Sequence, residues 1–200
     1  MLMTKYYRWP DRQLVEPLMH LPGIHWPLEA NTIRKNSLAN TFGMVRSGGQ
    51  RAHQGWDLRA YPGTRCFAIA DGEIVFVGWR GDYGRIISLQ FRHGGRTLFA
   101  TYAHLSLPLV TTGERVTAGH WIALTGNTGN AESMTGEDHH LHFEVRTIVH
   151  PGQGVAGRID PREIYGVVPL GASYYDTRPA MAQQMGSKAP GLKINGMNVL

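Results

Sequence analysis

Cysteine is almost absent from this chain: Cys66 stands alone among 200 residues. One thiol can build neither an internal disulfide framework nor a multi-cysteine zinc site, so any metal must be held by histidine and carboxylate. Its setting, RCFAIA over 65–70, is that of a buried small hydrophobe. Long apolar runs are missing too. No segment approaches the roughly 20 apolar residues that a membrane-spanning helix needs. The opening stretch MLMTKYYRWPDRQLVEP has no apolar run followed by a small-residue cleavage site. The expectation is a soluble protein without a membrane span or a standard secretory signal. Lys/Arg runs are also lacking. The net charge of +5 is spread along the chain without the aromatic-basic signature of a nucleic-acid module, so no nucleic-acid partner is expected. A pI near 9.6 favours anionic partners in general, an acidic cell-wall polymer among them.

Helical periodicity is nearly missing from the middle of the chain, and short β-type runs punctuated by glycine stand in its place. They are GEIVFVGW (72–79), GRIISLQFR (84–92), RTLFATYAHL (96–105), WIALTG (121–126) and LHFEVR (141–146). His93-Gly94-Gly95-Arg96 separates two of them, and its glycine pair supplies the positive φ angles of a tight hairpin. The fold expected is mainly β, a compact antiparallel sheet core in one domain. Pro10, Pro17, Pro22 and Pro27 argue for an irregular N-terminal arm over 1–39, with at most a short helix around Asp11 to Met19. The stretch 169–200, rich in Gly, Ala, Pro and Met, reads as a flexible or docking C-terminal extension.

What the chain has in abundance is histidine, ten in all. In EDHHLHFEVR (137–146) strand parity puts His140, His142 and Glu144 on one face and Leu141, Phe143 and Val145 on the other. The apolar face can enter a core while the imidazoles converge above the sheet. Upstream, RAHQGWDLRA places His53 four residues before Asp57. Fully extended, their Cα atoms would lie about 13 Å apart, too far for one ion, so the chain must bend between them. Gly55 is the residue able to permit that bend. Chance alone gives about 0.35 His-x3-Asp and about 0.5 His-x-His pairs at this composition, so neither motif is specific by itself. Their combination, with His104 in TYAHLS between them, is stronger. Two imidazoles and a carboxylate around zinc leave a fourth position for water, the arrangement of a catalytic site. Spacing does not distinguish His140 from His142 as the ligand. His139 faces the other way by parity, and His20, His25, His93, His120 and His150 have no partner spacing. Trp56 and Tyr102 read as packing residues. Tyr61, Trp79, Tyr83 and the RGDYGR charges Arg80, Asp82 and Arg85 fit a groove wall or a solvated turn equally.

The ordered set NTFGMVRSGGQRAHQGWDLRA, YAHLS, GERVTAGHWIALTGNTG, HLHFEVR and IDP resembles the LytM/lysostaphin-type zinc endopeptidases, which cut peptide cross-links of bacterial peptidoglycan. The resemblance runs from about Asn40 to Val168 and implies a zinc metallopeptidase domain over 40–168. It implies one Zn2+ held by His53, Asp57 and His142, with His104 and His140 as water-activating and intermediate-stabilising groups. The chain departs from the family in a longer NAESMTGEDH segment (130–139) before the His-x-His strand. Some family members are latent, with an upstream Asn on the metal; Asn31, Asn36 and Asn40 precede the motif here, and none aligns to that role from sequence. The function expected is peptidoglycan endopeptidase. The alternatives are a carboxypeptidase or amidase at the same site, a phage-type lysin, or a silent wall-binding member that activates another hydrolase. A wall substrate without a secretory signal points to non-classical export. The delivery expected is as an antibacterial effector of a type VI apparatus, with an immunity protein that plugs the groove.

Overall fold

The computed structural model describes residues 23–176 and 178–179 with their side chains, together with the backbone of two short strand pairs, Tyr6–Arg8 with Gln13–Val15 and Lys193–Ile194 with Met197–Asn198. Around Asp11 to Met19, where the sequence admits a short helix, Gln13–Val15 is a strand; the rest of that stretch lies outside the described residues. The core is a seven-stranded sheet, antiparallel throughout. Its order is Arg115–Val116, Gly72–Trp79, Arg85–His93, Arg96–Ala103, His140–Arg146 and Arg158–Ile159, with Trp56–Arg59 also paired to His140–Arg146. A second sheet runs Leu105–Pro108, Trp121–Thr125, Arg65–Phe67. This is the mainly β, antiparallel architecture that the alternating runs imply. The hairpin at 93–96 is as expected: His93 pairs with Arg96, and Gly94 and Gly95 have φ of 54° and 76°.

Strand parity holds at His140–Arg146. Leu141, Phe143 and Val145 join a core that includes Trp56, Leu58, Ile87, Leu89, Ala100 and Tyr102. Burying such side chains contributes about 1.5–3 kcal/mol each, which fixes the register, since a one-residue slip would turn the imidazoles into the core. The opposite face is also buried, with Glu144 fully so; it is covered by polar partners and not by solvent.

The described residues next to 40–168, from Trp26 to Ile33 and from Ser173 to Tyr175, pack on the same core. Tyr174–Tyr175 pairs with Ala30–Asn31, and Ile33 bridges to Leu58. Trp26 stacks on Tyr165 and Tyr174 at ring-centroid distances of 4.1 and 5.5 Å. Among the described residues no helix is long and apolar enough to cross a membrane.

Candidate metal centre

The register of two strands assembles the site. His142 lies opposite Asp57 on one side of its strand and opposite Ala103 on the other, so His104, next along, falls beside the same point. His53 ends Arg51–His53, and the chain then bends at Gly55 before Trp56–Arg59 brings in Asp57. The bend is where the sequence places it, but the reason for glycine is different. Gly55 does not have a positive φ; a Cβ there would collide with the Phe143 carbonyl oxygen and come within 2.9 Å of Glu144 Cγ. Close approach of two backbones requires the bare glycine.

His53, Asp57 and His142 are all buried and each offers a ligand atom to one point. His53 Nε2 lies 3.0 Å from Asp57 Oδ1, His142 Nδ1 lies 2.8 Å from the same oxygen, and the two nitrogens are 3.2 Å apart. The other ring nitrogen of each imidazole is engaged. His53 Nδ1 donates to the Thr41 carbonyl at 2.8 Å, and His142 Nε2 donates to Glu144 Oε1 at 2.9 Å. These outer bonds fix the tautomers and leave three lone-pair atoms facing one another. Such a cluster needs a shared proton or a cation, and a donor set of two imidazoles and one carboxylate fits zinc.

Two further imidazoles border the cluster. His104 Nδ1 donates to the Thr128 carbonyl at 2.9 Å, and His140 Nδ1 donates to that of Asp138 at 2.8 Å, so among the described residues neither Nε2 is used in a hydrogen bond. Their rings are 5.0 Å apart, and His140 Nε2 is 3.5 Å from Asp57 Oδ1. His104 has φ of 59°, left-handed for a non-glycine residue; its N–H donates to the Tyr83 carbonyl at 2.9 Å. All five residues singled out by the sequence are thus together.

Burial pushes His104 down to about 3, helped by His142 and His140, and burial likewise lowers His53 and His140. Burial opposes charge on Asp57 as well, but His140, His142 and His53 outweigh it and hold the carboxyl well below its usual range. For His142, hydrogen bonds to Asp57 and Glu144 overcome burial and push the imidazole up to about 9.

Sequence reasoning misses the partners around this constellation. Parity puts Glu144 on the right face but gives it no task. In the fold it also accepts from Tyr83 Oη at 2.7 Å, Arg146 Nε at 2.6 Å and Arg158 Nε at 2.7 Å. Asp57 Oδ2 accepts from Arg46 at 2.8 Å and Arg34 at 3.4 Å. Isolated arginines carry no spacing signal, so nothing in the sequence singles them out. The three upstream asparagines are engaged elsewhere: Asn31 with the Leu28 and Tyr174 carbonyls, Asn36 with the Gly171 N–H and Asn40 with Arg34. The site opens into a groove of about 1300 Å³ whose walls include Arg51, Trp79, Arg80 and Tyr83, with Asn130 and Met134 from the longer segment. Asp82 lines it too, whereas Arg85 turns away to the Ser106 carbonyl. Trp56 and Tyr102 are fully buried packing residues.

Fold and site together define an antiparallel β protein with a groove-floor His/Asp cluster suited to a single metal ion. Residues 51–158 match peptidase family M23, and the chain belongs to that family. It is 37% identical over 114 residues to the DD-carboxypeptidase/endopeptidase Mpg of Neisseria meningitidis, covering 57% of this chain and 24% of that protein. It is 35% identical over 123 residues to the murein hydrolase activator NlpD of Escherichia coli, covering 60% and 27%. The chain therefore spans about a quarter of the length of these curated relatives. Among solved structures, LytU superposes with a TM-score of 0.51 at 27% identity, covering 78% of this chain and 93% of that one. Lysostaphin from Staphylococcus simulans gives 0.50 at 26%, covering 69% and 53%.

Proposed function

We propose that this chain is a zinc-dependent endopeptidase that hydrolyses peptide cross-links of bacterial peptidoglycan, with residues 40–168 as its metallopeptidase domain. The observation that carries the reading is the convergence of three lone-pair atoms from His53, Asp57 and His142, with both imidazoles oriented by outer hydrogen bonds. These three residues would hold one Zn2+. Bound zinc supplies Lewis acidity toward a scissile carbonyl and lowers the pKa of a water toward about 7. His104 and His140, both lining the groove, stay neutral at neutral pH through burial. One takes the proton of the attacking water at Nε2 and returns it to the leaving nitrogen; the other stabilises the tetrahedral intermediate by accepting a hydrogen bond at Nε2 from its N–H or O–H. The arginine-rich groove supports a peptide that carries carboxylates.

The similarity to NlpD favours a second reading, a wall-binding activator without hydrolysis. Retention of all five site residues supports the enzyme. The deciding measurement is mass spectrometry of products released from purified sacculi, with and without a zinc chelator. Chelator-sensitive loss of cross-linked dimers, abolished by His53→Ala, is the expected result. Sacculi that bind the protein yet release nothing would reject hydrolysis in favour of the activator. Delivery as an antibacterial effector is part of the proposal, and its partner is an immunity protein plugging the groove. A pull-down from the producing cell's periplasm that yields no groove-blocking protein would remove that part.

A further inference from the structure

We infer that Arg34, outside the family match at 51–158, is a positioning residue of the metal site: it holds Asp57 to ligation through one oxygen and clamps the 130–139 segment against His140. The inference rests on the metal reading proposed above.

The two oxygens of Asp57 are divided between different partners. Oδ1 faces His53, His142 and His140, whereas Oδ2 accepts from Arg34 Nη2 and Arg46 Nη2. A carboxylate held in this way offers a single oxygen to an ion, and its second oxygen is kept from swinging in. Arg34 does more than Arg46. Its Nη2 also donates to Asn40 Oδ1 at 2.8 Å, and its Nη1 donates to Asp138 Oδ1 at 2.9 Å and to the Asp138 carbonyl at 3.3 Å. That carbonyl is the acceptor that orients His140 through Nδ1. One guanidinium thus connects a metal-side carboxylate to the backbone group that sets the tautomer of a second histidine. Arg46 instead turns its Nε to the Ala39 carbonyl and does not reach the 130–139 segment.

Backbone bonds hold Arg34 in place. The preceding Ile33 bridges to Leu58, and Arg59 N–H donates to the Thr32 carbonyl at 2.9 Å, which lays this stretch along the strand that bears Asp57. Directly after it, Lys35 and Asn36 adopt φ of 53° and 47°, a conformation that L side chains rarely take. Lys35 Nζ pairs with Asp138 at 2.7 Å, and Asn36 Oδ1 accepts from Gly171 N–H at 3.1 Å. A planar fork reaching Asp57, Asn40, Met134 and Asp138 is geometry that lysine does not reproduce.

The test uses the full chain stripped of metal and titrated with zinc against a chromogenic chelator, alongside hydrogen exchange of the metal-free protein. Arg34→Gln is expected to weaken zinc binding about tenfold, in the range of other outer partners of metal ligands, and to speed amide exchange over 136–140. Asp138→Asn is expected to speed the same amides while zinc affinity stays at the wild-type value, since Asp57 keeps both arginines. Arg34→Lys keeps the charge and the stem; it is expected to melt near the wild-type temperature and still lose zinc affinity several-fold. It decides the matter if Arg34→Gln does not fold. Wild-type zinc affinity in folded Arg34 variants overturns the inference alone. A wild-type chain that takes up no zinc overturns the metal reading and this inference with it.

Discussion

Gly55 and Glu144 show how single positions set the site. Gly55 lies against the Phe143 carbonyl, too close for any Cβ to stand between them. Gly55→Ala is expected to destabilise the fold by about 1–3 kcal/mol, the range for overpacking a close contact, as read from urea denaturation. An alanine variant as stable as the parent would contradict the close-approach argument. Glu144 is buried between His142, Tyr83, Arg146 and Arg158. Glu144→Gln keeps an acceptor for His142 but removes the charge that raises its basicity. It is expected to weaken zinc binding about 10–100-fold; unchanged chelator competition would remove Glu144 from the metal's support. His53 and Asp57 are legible as a pair, but Glu144's role is not, because a buried glutamate on a strand looks like any solvated one until its partners arrive.

At the scale of elements, the strand His140–Arg146 is the axis. It pairs with Arg96–Ala103 on one side and with Trp56–Arg59 and Arg158–Ile159 on the other. Its alternation can be read directly, whereas the pairing that sets Asp57 opposite His142 cannot, since strand order is a non-local choice. The arm and the tail meet at Asp176, which accepts from Trp26 N–H at 3.0 Å and from Arg178. Burial alone would raise that carboxyl, but Arg178 overcomes it and the pKa is lowered. A depressed folded pKa means that the stabilisation is present above the unfolded value of about 3.9 and is lost as pH falls through the folded one. Asp176→Asn is therefore expected to melt below the wild type at pH 7, with the gap narrowing as pH falls below about 3.9. Thermal melts across that window check it, and a gap that does not depend on pH would contradict it.

For the whole molecule, the excess of positive charge gathers where it matters. Arg34, Arg46, Arg51 and Arg80 line the groove against the acids Asp57 and Asp82, and among the described residues the Arg51 and Arg80 side chains make no ion pair. Retention on sacculi is expected to fall as salt shortens the screening length from about 10 Å at 0.1 M to about 3 Å at 1 M; co-sedimentation at the two strengths measures it, and salt-independent retention would contradict a charge-guided substrate. By itself the sequence determined the mainly β class, the tight turn at Gly94-Gly95 and the inward face of Leu141, Phe143 and Val145, all of which follow from local rules of alternation and turn chemistry. It also singled out His53, Asp57, His104, His140 and His142 as candidates, their roles coming only through the family resemblance. Alternation left His140 and His142 equivalent and the family resemblance implied His142; the tertiary structure puts His142 Nδ1 beside Asp57 and His53, and it alone decided that the described parts of the flanking stretches close on the core through Tyr174–Tyr175 and Ala30–Asn31 and that Arg34 and Arg46 flank Asp57. Those outcomes depend on which distant segments pair and in what register, and the free energy that chooses among pairings comes from burial summed over the whole core.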